Sequence, residues 1–376
     1  MNICDRLLCT GCGACSNLCP AGCIEMREDE IGHLYPFVDE DKCVNCGLCK
    51  KRCPVNTGLD TYAPKKAYAT WSLDENEHSA STSGGFANVV SRKIISMGGS
   101  VYGSALTDEG IQHIRVNTQQ ELERLQGSKY VQSPVCGVYK MLKADLKNGK
   151  KVLFVGTPCQ CAGVKAYLGR DYDELHIVSL ICMGVPPQKL LWEELGYIDK
   201  KPQKISFRGK EGSMLSVIDG GKVVYSKPSY KNCFYKGFYA KLYFRESCYS
   251  CSFKGMERCS DITIGDFWGL GRIEPFEHKI KNGVSVAMPH TEKGIALIDE
   301  CRDELFIEER TVEEAVRDNS MYRISAKKHR NYDKFKKYYI KKGCRYAIRK
   351  TLIKERIYSF GYQSLKKIYR KLKGVK

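Results

Sequence analysis

Two cysteine runs of identical spacing constrain this chain more than any other feature of its sequence. The first run is Cys9, Cys12, Cys15 and Cys19, followed by Pro20; the second is Cys43, Cys46, Cys49 and Cys53, followed by Pro54. Three thiolates at positions i, i+3 and i+6 wrap one tight loop around three irons of a cubane. The fourth, turned away by its proline, reaches across to the other cluster. The repeat therefore predicts two 4Fe–4S clusters.

Each predicted cluster takes cysteines from both runs, as in bacterial two-cluster ferredoxins. The predicted ligand sets are Cys9, Cys12 and Cys15 with Cys53, and Cys43, Cys46 and Cys49 with Cys19. A disulfide framework or a pair of zinc sites is the alternative. A zinc site, however, needs neither a third cysteine three residues on nor a Cys-Pro step. Cys4 and Cys23 lie outside the pattern, and we expect them to be packing residues.

Length and cysteine content bound the class of protein. At 376 residues the chain exceeds the size at which one core keeps growing, so two or three domains are expected. It has 20 cysteines and opens without a basic and then apolar leader, which favours metal ligation in a reducing compartment over disulfides. No apolar run approaches the ~18–20 residues of a membrane span. We therefore expect a cytoplasmic protein.

The positive charge of the chain is concentrated at its C-terminal end. The net charge is +18, and residues 321–376 alone contain 20 Lys and Arg against 2 Asp and Glu, so the rest is neutral overall. A neutral body gives no electrostatic reason to bind nucleic acid, which argues against that partner.

Apolar residues recur through this tail at spacings of mostly three to five, with Lys and Arg between them, and predict a basic amphipathic helix. They are Ile348, Leu352, Ile353, Ile357, Phe360, Leu365, Ile368 and Leu372. One interpretation is a helix docked on the body. A second is nucleic-acid binding, which suits the charge of the tail but has no purpose in a redox protein. The third is peripheral contact with the anionic inner face of a membrane, where each basic residue contributes about 1 kcal/mol. This third interpretation predicts salt-sensitive vesicle binding that is lost on truncation after Asn319.

The sequence divides into four segments. The predicted domains are a two-cluster ferredoxin domain at residues 1–58, two parts of one domain at residues 65–200 and 201–320, and the basic helical tail at residues 321–376. Predicted strands and helices alternate from residue 65, and the apolar run within Lys151–Val155 indicates a buried strand. Beyond residue 201 a hairpin turning at Gly220-Gly221 and an aromatic-rich helix over Ser229–Phe244 are predicted. The expected fold class is α+β, with an α/β layered domain that carries an antiparallel insertion.

Candidate site residues lie where predicted strands end. The segment Ser81–Gly85 precedes a predicted helix, and hydroxyl and N–H groups at a helix N-terminus suit a phosphate or flavin, although an ordinary helix cap explains the same pattern. Cys159 and Cys182 follow two strands at the edge where α/β sheets bind ligands. With Cys248 and Cys251 they would offer four thiols to a third cluster. The alternatives are buried free thiols or a zinc knuckle at Cys248, Cys251 and Cys259.

Five stretches, taken in order, resemble the coenzyme F-420 hydrogenase/dehydrogenase beta-subunit family with an N-terminal ferredoxin domain. They are STSGGF at Ser81–Phe86, KYVQS at Lys129–Ser133, VLFVGTPCQCAG at Val152–Gly163, CYSCSFK at Cys248–Lys254 and DITIGDFWG at Asp261–Gly269. The resemblance covers roughly residues 1–310 and leaves the tail outside.

This resemblance implies a flavin-binding domain that holds FAD beside a 4Fe–4S cluster. It implies that Cys159, Cys182, Cys248 and Cys251 ligate this third cluster, and that Ser83, Gly84, Gly85 and Lys129 belong to the flavin site. A lysine near the N1–C2 carbonyl edge of a flavin would stabilise the anionic reduced ring. Cys161 and Cys259 stand where aliphatic residues are expected in this family, so they are not assigned as ligands.

The expected function is that of a flavin-dependent iron–sulfur oxidoreductase. Low-potential electrons would come from a ferredoxin or a partner redox subunit and enter at the ferredoxin domain. They would then pass through the third cluster and reach an organic acceptor by way of FAD. Two alternatives stay open: a non-catalytic electron-relay subunit that feeds a partner reductase, and a structural or regulatory protein with a vestigial flavin site. The sequence does not identify catalytic residues or the substrate.

Overall fold

The N-terminal unit, residues 2–58, carries both cysteine runs. The computed structural model describes residues 2–196, 201–209 and 212–353. The two short helices of the unit start directly after Gly13 and Gly47, whose φ angles of 76° and 69° cost glycine no strain. The elements of the unit are α1 (Ala14–Leu18), β1 (Ile24–Glu28), β2 (Leu34–Val38) and α2 (Leu48–Lys51).

The body of the chain is built on a mixed sheet of eight strands flanked by helices. Its first elements are β3 (Ala67–Ser72), α3 (Glu75–Ala80), α4 (Phe86–Ser96), β4 (Ser100–Thr107), β5 (Gly110–Val116), α5 (Val138–Lys147), β6 (Val152–Gly156), α6 (Pro158–Leu168), β7 (Leu175–Leu180) and α7 (Gln188–Leu195). A three-stranded antiparallel sheet and one helix follow: β8 (Lys204–Gly209), β9 (Gly212–Asp219), β10 (Lys222–Pro228) and α8 (Cys233–Tyr239). The chain returns with β11 (Ile262–Asp266), β12 (Ser285–Pro289), α9 (Glu292–Asp299), β13 (Leu305–Arg310), α10 (Val312–Arg317), α11 (Ser320–Arg323) and α12 (Tyr332–Thr351).

Most strands of the large sheet run in one direction. The strand order is β13-β3-β12-β11-β7-β6-β4-β5. Strands β4, β6, β7 and β11 pair in parallel, and β3 shares their direction because β12 pairs antiparallel with both β11 and β3. Gly156, Leu180 and Asp266, which end β6, β7 and β11, therefore lie at one edge of the sheet. The predicted α+β class with an α/β layered sheet is confirmed.

The N-terminal unit packs directly on the body. Cys12 and Ala14 belong to the same apolar core as residues of α5 and α6. The buried hydroxyl of Tyr139 lies 3.0 Å from the carbonyl oxygens of both Cys12 and Gln160. The unit and the large sheet thus share one core.

The first part of the basic tail belongs to the folded body. Helix α12 buries Phe335 and Ile348 in one core with α7 and α8. Of the predicted apolar positions, Ile348 and Leu352 are buried and Ile353 is exposed. The predicted positions from Ile357 onward lie outside the described residues. Among the described residues, no helix is long and apolar enough to cross a membrane.

One predicted helix is shorter in the structure than the sequence indicated. The aromatic-rich segment Ser229–Phe244 is interrupted at Asn232, whose side-chain oxygen accepts a 2.9 Å hydrogen bond from the Tyr235 N–H and so starts α8 there. The helix ends at Tyr239, and Lys241 has a φ of 54°, a left-handed conformation that a right-handed helix excludes. Local capping, which apolar periodicity does not reveal, shortened this helix.

Packing of α8 gives a test of the fold. A Cβ added at Gly237 would overlap the ring of Tyr243 and lie 2.7 Å from Cδ1 of Ile348. Gly237→Ala should therefore destabilise the protein by about 1–3 kcal/mol, because a filled core must move to accept it. Gly137→Ala is the matched control, since a Cβ there meets nothing within 4 Å. Anaerobic thermal unfolding measures both variants, and equal melting temperatures would contradict this packing.

Candidate functional site

The N-terminal unit contains two cavities, and each is lined by one of the two predicted ligand sets. The first cavity is lined by Cys9, Cys12, Cys15 and Cys53, and the second cavity by Cys19, Cys43, Cys46 and Cys49. The fold thus brings the last cysteine of each run to the first three of the other run. Thiolates in such sets of four are the ligands that a 4Fe–4S cluster requires.

Each cavity is lined by one further cysteine. Cys4 lines the first cavity, where hydrogen bonds with Cys53 and Cys9 raise the pKa of its thiol. Cys23 lines the second cavity, with its Sγ 3.3 Å from Sγ of Cys19. Both residues also pack in the apolar cluster of the unit, and each lies beside a predicted ligand set. The sequence could not show this, because neither residue belongs to the repeated pattern.

Four cysteines from separate segments of the body influence one another; we refer to Cys159, Cys182, Cys248 and Cys251 as the thiol group. Cys159 lies in the first turn of α6, Cys182 follows β7, and the other two precede β11. Burial raises the pKa of Cys159 well above its ordinary value, and the nearby thiols of Cys251, Cys182 and Cys248 raise it further. Burial likewise raises the pKa of Cys248 to about 12, with Cys182 and Cys251 adding to the rise. Thiols that oppose one another's ionisation would ionise together only around a positive centre.

Cys161 and Cys259 lie in the core beside this group. Sγ of Cys161 is 3.7 Å from the carbonyl oxygen of Gly156 and 3.8 Å from that of Val178, and Cys259 belongs to the same apolar core. Among the residues that the structure describes, no three Cys, His, Asp or Glu side chains converge closely enough to hold one metal ion. A zinc knuckle at Cys248, Cys251 and Cys259 would require such convergence. A cubane is wider than a single ion and separates its ligands further.

The loop before α4 contains three of the four residues implied for the flavin. The Gly84 N–H donates a 2.9 Å hydrogen bond to Oγ of Ser285, and Oγ of Ser83 donates a 3.0 Å bond to the carbonyl oxygen of Val284. Gly85 precedes α4 with a φ of 87°. Ser83 and Gly84 thus bond to the start of β12 and the residue before it, and the N–H of Asn88 donates to the carbonyl oxygen of Gly85 at 3.0 Å. The loop therefore offers a ligand chiefly the first N–H groups of α4.

Lys129, the fourth residue, lies next to this loop. The N–H of Ser128 donates a 3.1 Å hydrogen bond to Oγ1 of Thr82 and so joins the two stretches. Nζ of Lys129 donates 2.9 Å hydrogen bonds to the carbonyl oxygens of Leu125 and Gln126. Burial lowers the pKa of Lys129 to about 7. The two stretches implied for the flavin are therefore neighbours in the fold.

Two family models match the sequence. Residues 8–57 match the 4Fe-4S dicluster domain, and residues 149–315 match the family described as the C terminus of the coenzyme F420 hydrogenase/dehydrogenase beta subunit. These two matches confirm the resemblance to the beta-subunit family with an N-terminal ferredoxin domain. The first match supports iron–sulfur clusters in the N-terminal unit, and the whole thiol group lies within the segment that matches the beta-subunit model.

Other comparisons add little to these matches. No curated protein matches the chain. Among solved structures it is similar to a chain of the F420-reducing nickel–iron hydrogenase complex from Methanosarcina barkeri, studied by xenon derivatization. That similarity has 18% identity and a TM-score of 0.47, and it covers 69% of this chain and 88% of the other.

Two arginines in the beta-subunit segment form contacts that the sequence did not single out. Arg208 on β8 donates a 2.7 Å hydrogen bond from Nε to the hydroxyl of Tyr130 and forms an ion pair with Asp266 at the end of β11. It therefore fixes the small sheet to the carboxyl edge of the large one. Arg245 is completely buried and reaches the carbonyl oxygen of Cys9 at 3.3 Å. These contacts join distant segments, and no local pattern marks either arginine.

The extra thiols allow a test of the ligand sets. Cys23→Ser should leave the iron content unchanged, because the repeated spacing assigns the second cluster to other cysteines. Cys49→Ser, a change in the same cavity, should lose about four irons. Iron and sulfide analysis of the anaerobically purified full chain measures both variants. The opposite result, with iron lost only from Cys23→Ser, would require a different ligand set.

Proposed function

We propose that this protein is an FAD- and iron–sulfur-dependent oxidoreductase that passes low-potential electrons through three 4Fe–4S clusters to FAD and then to an organic acceptor. The observation that carries the proposal is the thiol group, four mutually influencing cysteines drawn from the ends of β6 and β7 and from the segment before β11. Four thiolates form the ligand set of a 4Fe–4S cluster. The residues therefore fit the cluster that this family implies.

Packing of the N-terminal unit supports the proposed order of the clusters. Helix α6 begins at Pro158 and carries Cys159 in its first turn. One turn later Gly163 lies against Cys12, which lines the first cavity, and a Cβ added at Gly163 would lie 3.2 Å from Sγ of Cys12. The first cavity is thus the one that meets the helix of Cys159. The protein's part in electron transfer is to hold its centres close together and to set their potentials.

The second cavity is the proposed point at which electrons enter. Cys46, one of its predicted ligands, is exposed, whereas Cys9 and Cys12 of the first cavity are buried. A partner that docks over Cys46 would bring its own redox centre near the second cluster. A ferredoxin or the redox subunit of a larger complex suits this role.

The proposed flavin residues suit a diphosphate and a ring that becomes negatively charged. FAD, when bound, would collect single electrons and release them as a pair. The first turn of α4 offers N–H groups to a phosphate. A lysine beside that ring would stabilise its negative charge, and Lys129 lies in the stretch that the Ser128–Thr82 hydrogen bond joins to the loop.

An electron-relay subunit that feeds a partner reductase is the second candidate, and it would use the same exposed Cys46 to exchange electrons. Acceptor reduction by the isolated chain separates the two, because a relay would turn over only with its partner. The cytoplasmic location stays a prediction. Contact of residues 321–376 with an anionic membrane also stays a prediction, because most of the apolar positions that would make it lie outside the described residues.

The third cluster can be tested by one pair of cysteines. The wild-type chain should contain about twelve irons, and Cys159→Ala should lose about four. Cys161→Ala is the matched control, because this neighbouring buried thiol faces sheet carbonyl oxygens and should keep every iron. Anaerobic iron analysis with EPR of the reduced protein gives the count. About eight irons in the wild type would remove the third cluster and leave the dicluster domain intact.

Flavin binding can be tested at Gly85. Gly85→Asp places a carboxylate before α4, where it would repel a phosphate, and should abolish bound flavin. Gly85→Asn introduces nearly the same shape and the same positive-φ constraint without charge, so it should retain more flavin. The flavin absorption band of the purified variants is the measurement. Equal flavin content in both would show that the phosphate binds elsewhere.

A further inference from the structure

Arg245 is a fully buried guanidinium placed between the N-terminal unit and the thiol group. Its Nη1 donates to the carbonyl oxygen of Cys9 at 3.3 Å, and its Nη2 donates to the carbonyl oxygen of Leu34 at 2.7 Å and to Oε1 of Gln132 at 2.9 Å. The guanidinium carbon also lies 4.6 Å from the ring centre of Tyr35. Nε finds no hydrogen-bond partner among the described residues.

All these acceptors are neutral. Within residues 2–196, 201–209 and 212–353, Arg245 forms no ion pair with a carboxylate. A buried charge without an opposite charge is strongly unfavourable. The site therefore calls for anionic groups close to the guanidinium, and thiolate-bound clusters carry negative charge.

The backbone of Arg245 is tied to the thiol group. Its N–H donates to the carbonyl oxygen of Val185 at 3.1 Å, in the segment that follows Cys182. Its own carbonyl oxygen accepts a 2.9 Å hydrogen bond from the N–H of Cys248. Arg245 thus fixes the turn that carries Cys248 while its side chain extends to the first cavity.

The first cysteine loop closes directly on this side chain. A Cβ added at Gly11, between Cys9 and Cys12, would lie 2.7 Å from Nη2 of Arg245. Arg245 therefore contacts the loop of Cys9 through its side chain and the turn of Cys248 through its backbone.

We propose that Arg245 is a shared electrostatic element of the first ferredoxin cluster and the third cluster, and that it raises the reduction potential of both. A cluster gains one negative charge when it accepts an electron, and a buried cation stabilises that charge strongly because no water screens it. Because Arg245 would raise the potentials of the first and third clusters relative to that of the second, it would favour electron transfer from the second cluster towards the body. The part that concerns the third cluster rests on the proposed function; the part that concerns the first cluster does not.

The test compares Arg245→Met with Arg245→Lys in the full chain. Methionine keeps much of the volume and removes the charge, so the midpoint potential of the first cluster should move to more negative values. Lysine keeps the charge, so that potential should stay close to wild type although the planar set of hydrogen bonds is lost. The second cluster is the internal reference, since none of the hydrogen bonds of Arg245 in the described residues goes to its cysteines. EPR-monitored redox titration resolves the clusters.

An Arg245→Met protein with full iron and unmoved potentials would overturn the proposal. If that variant does not retain its clusters, Arg245→Lys and Gln132→Leu provide the test. Both variants keep the charge, and Gln132→Leu removes one hydrogen-bond acceptor, so the midpoint potential of the first cluster should stay at the wild-type value in both. A negative shift in both variants would assign the effect to hydrogen bonding instead of charge. A wild-type count of about eight irons would reject the third cluster. A negative first-cluster shift in Arg245→Met would still support the role of Arg245 there.

Discussion

The contact between Cys12 and helix α6 determines how the sites are arranged. A buried hydroxyl requires a partner, and Tyr139 finds its acceptors in the carbonyl oxygens of Cys12 and Gln160, one on each side of the boundary. Gly163 allows the approach because any side chain there would meet Cys12. One helix therefore carries Cys159 at its start and supports the first cavity one turn later. Together with the hydrogen bonds of Arg245 to Cys9 and Leu34, this contact holds the N-terminal unit on the body.

Local signals were sufficient for most of the architecture. The run within Lys151–Val155 predicted a buried strand that the structure places at Val152–Gly156, and the hairpin at Gly220-Gly221 is present. These succeed because strand burial and hairpin turns depend on residues close in sequence. The repeated cysteine spacing likewise specifies two tight loops, and the cavities of the N-terminal unit contain the cysteines that the spacing groups together.

Contacts between distant segments could not be predicted. Arg245 reaches Cys9 across more than two hundred residues of sequence, and Arg208 joins two sheets through Asp266. The loop before α4 is instructive, because the sequence identified it but not which of its groups stay available. Gly84 and Ser83 bond to Ser285 and Val284, near the start of β12. The tertiary structure decides which polar groups form hydrogen bonds within the protein and which stay available to a ligand. No pattern in a single sequence reveals this.

Helix α12 divides the basic end of the chain into two parts with different physical roles. Phe335, Tyr339 and Ile348 fill an apolar surface formed by α7 and α8. A chain cut after Asn319 would expose that surface, so it would adhere to lipids or to other chains through its own opened core. A chain that ends after Ile353 keeps the core closed and removes only the residues beyond it. A loss of adhesion can therefore be assigned to the charge of the terminal residues only when the chain is truncated after Ile353.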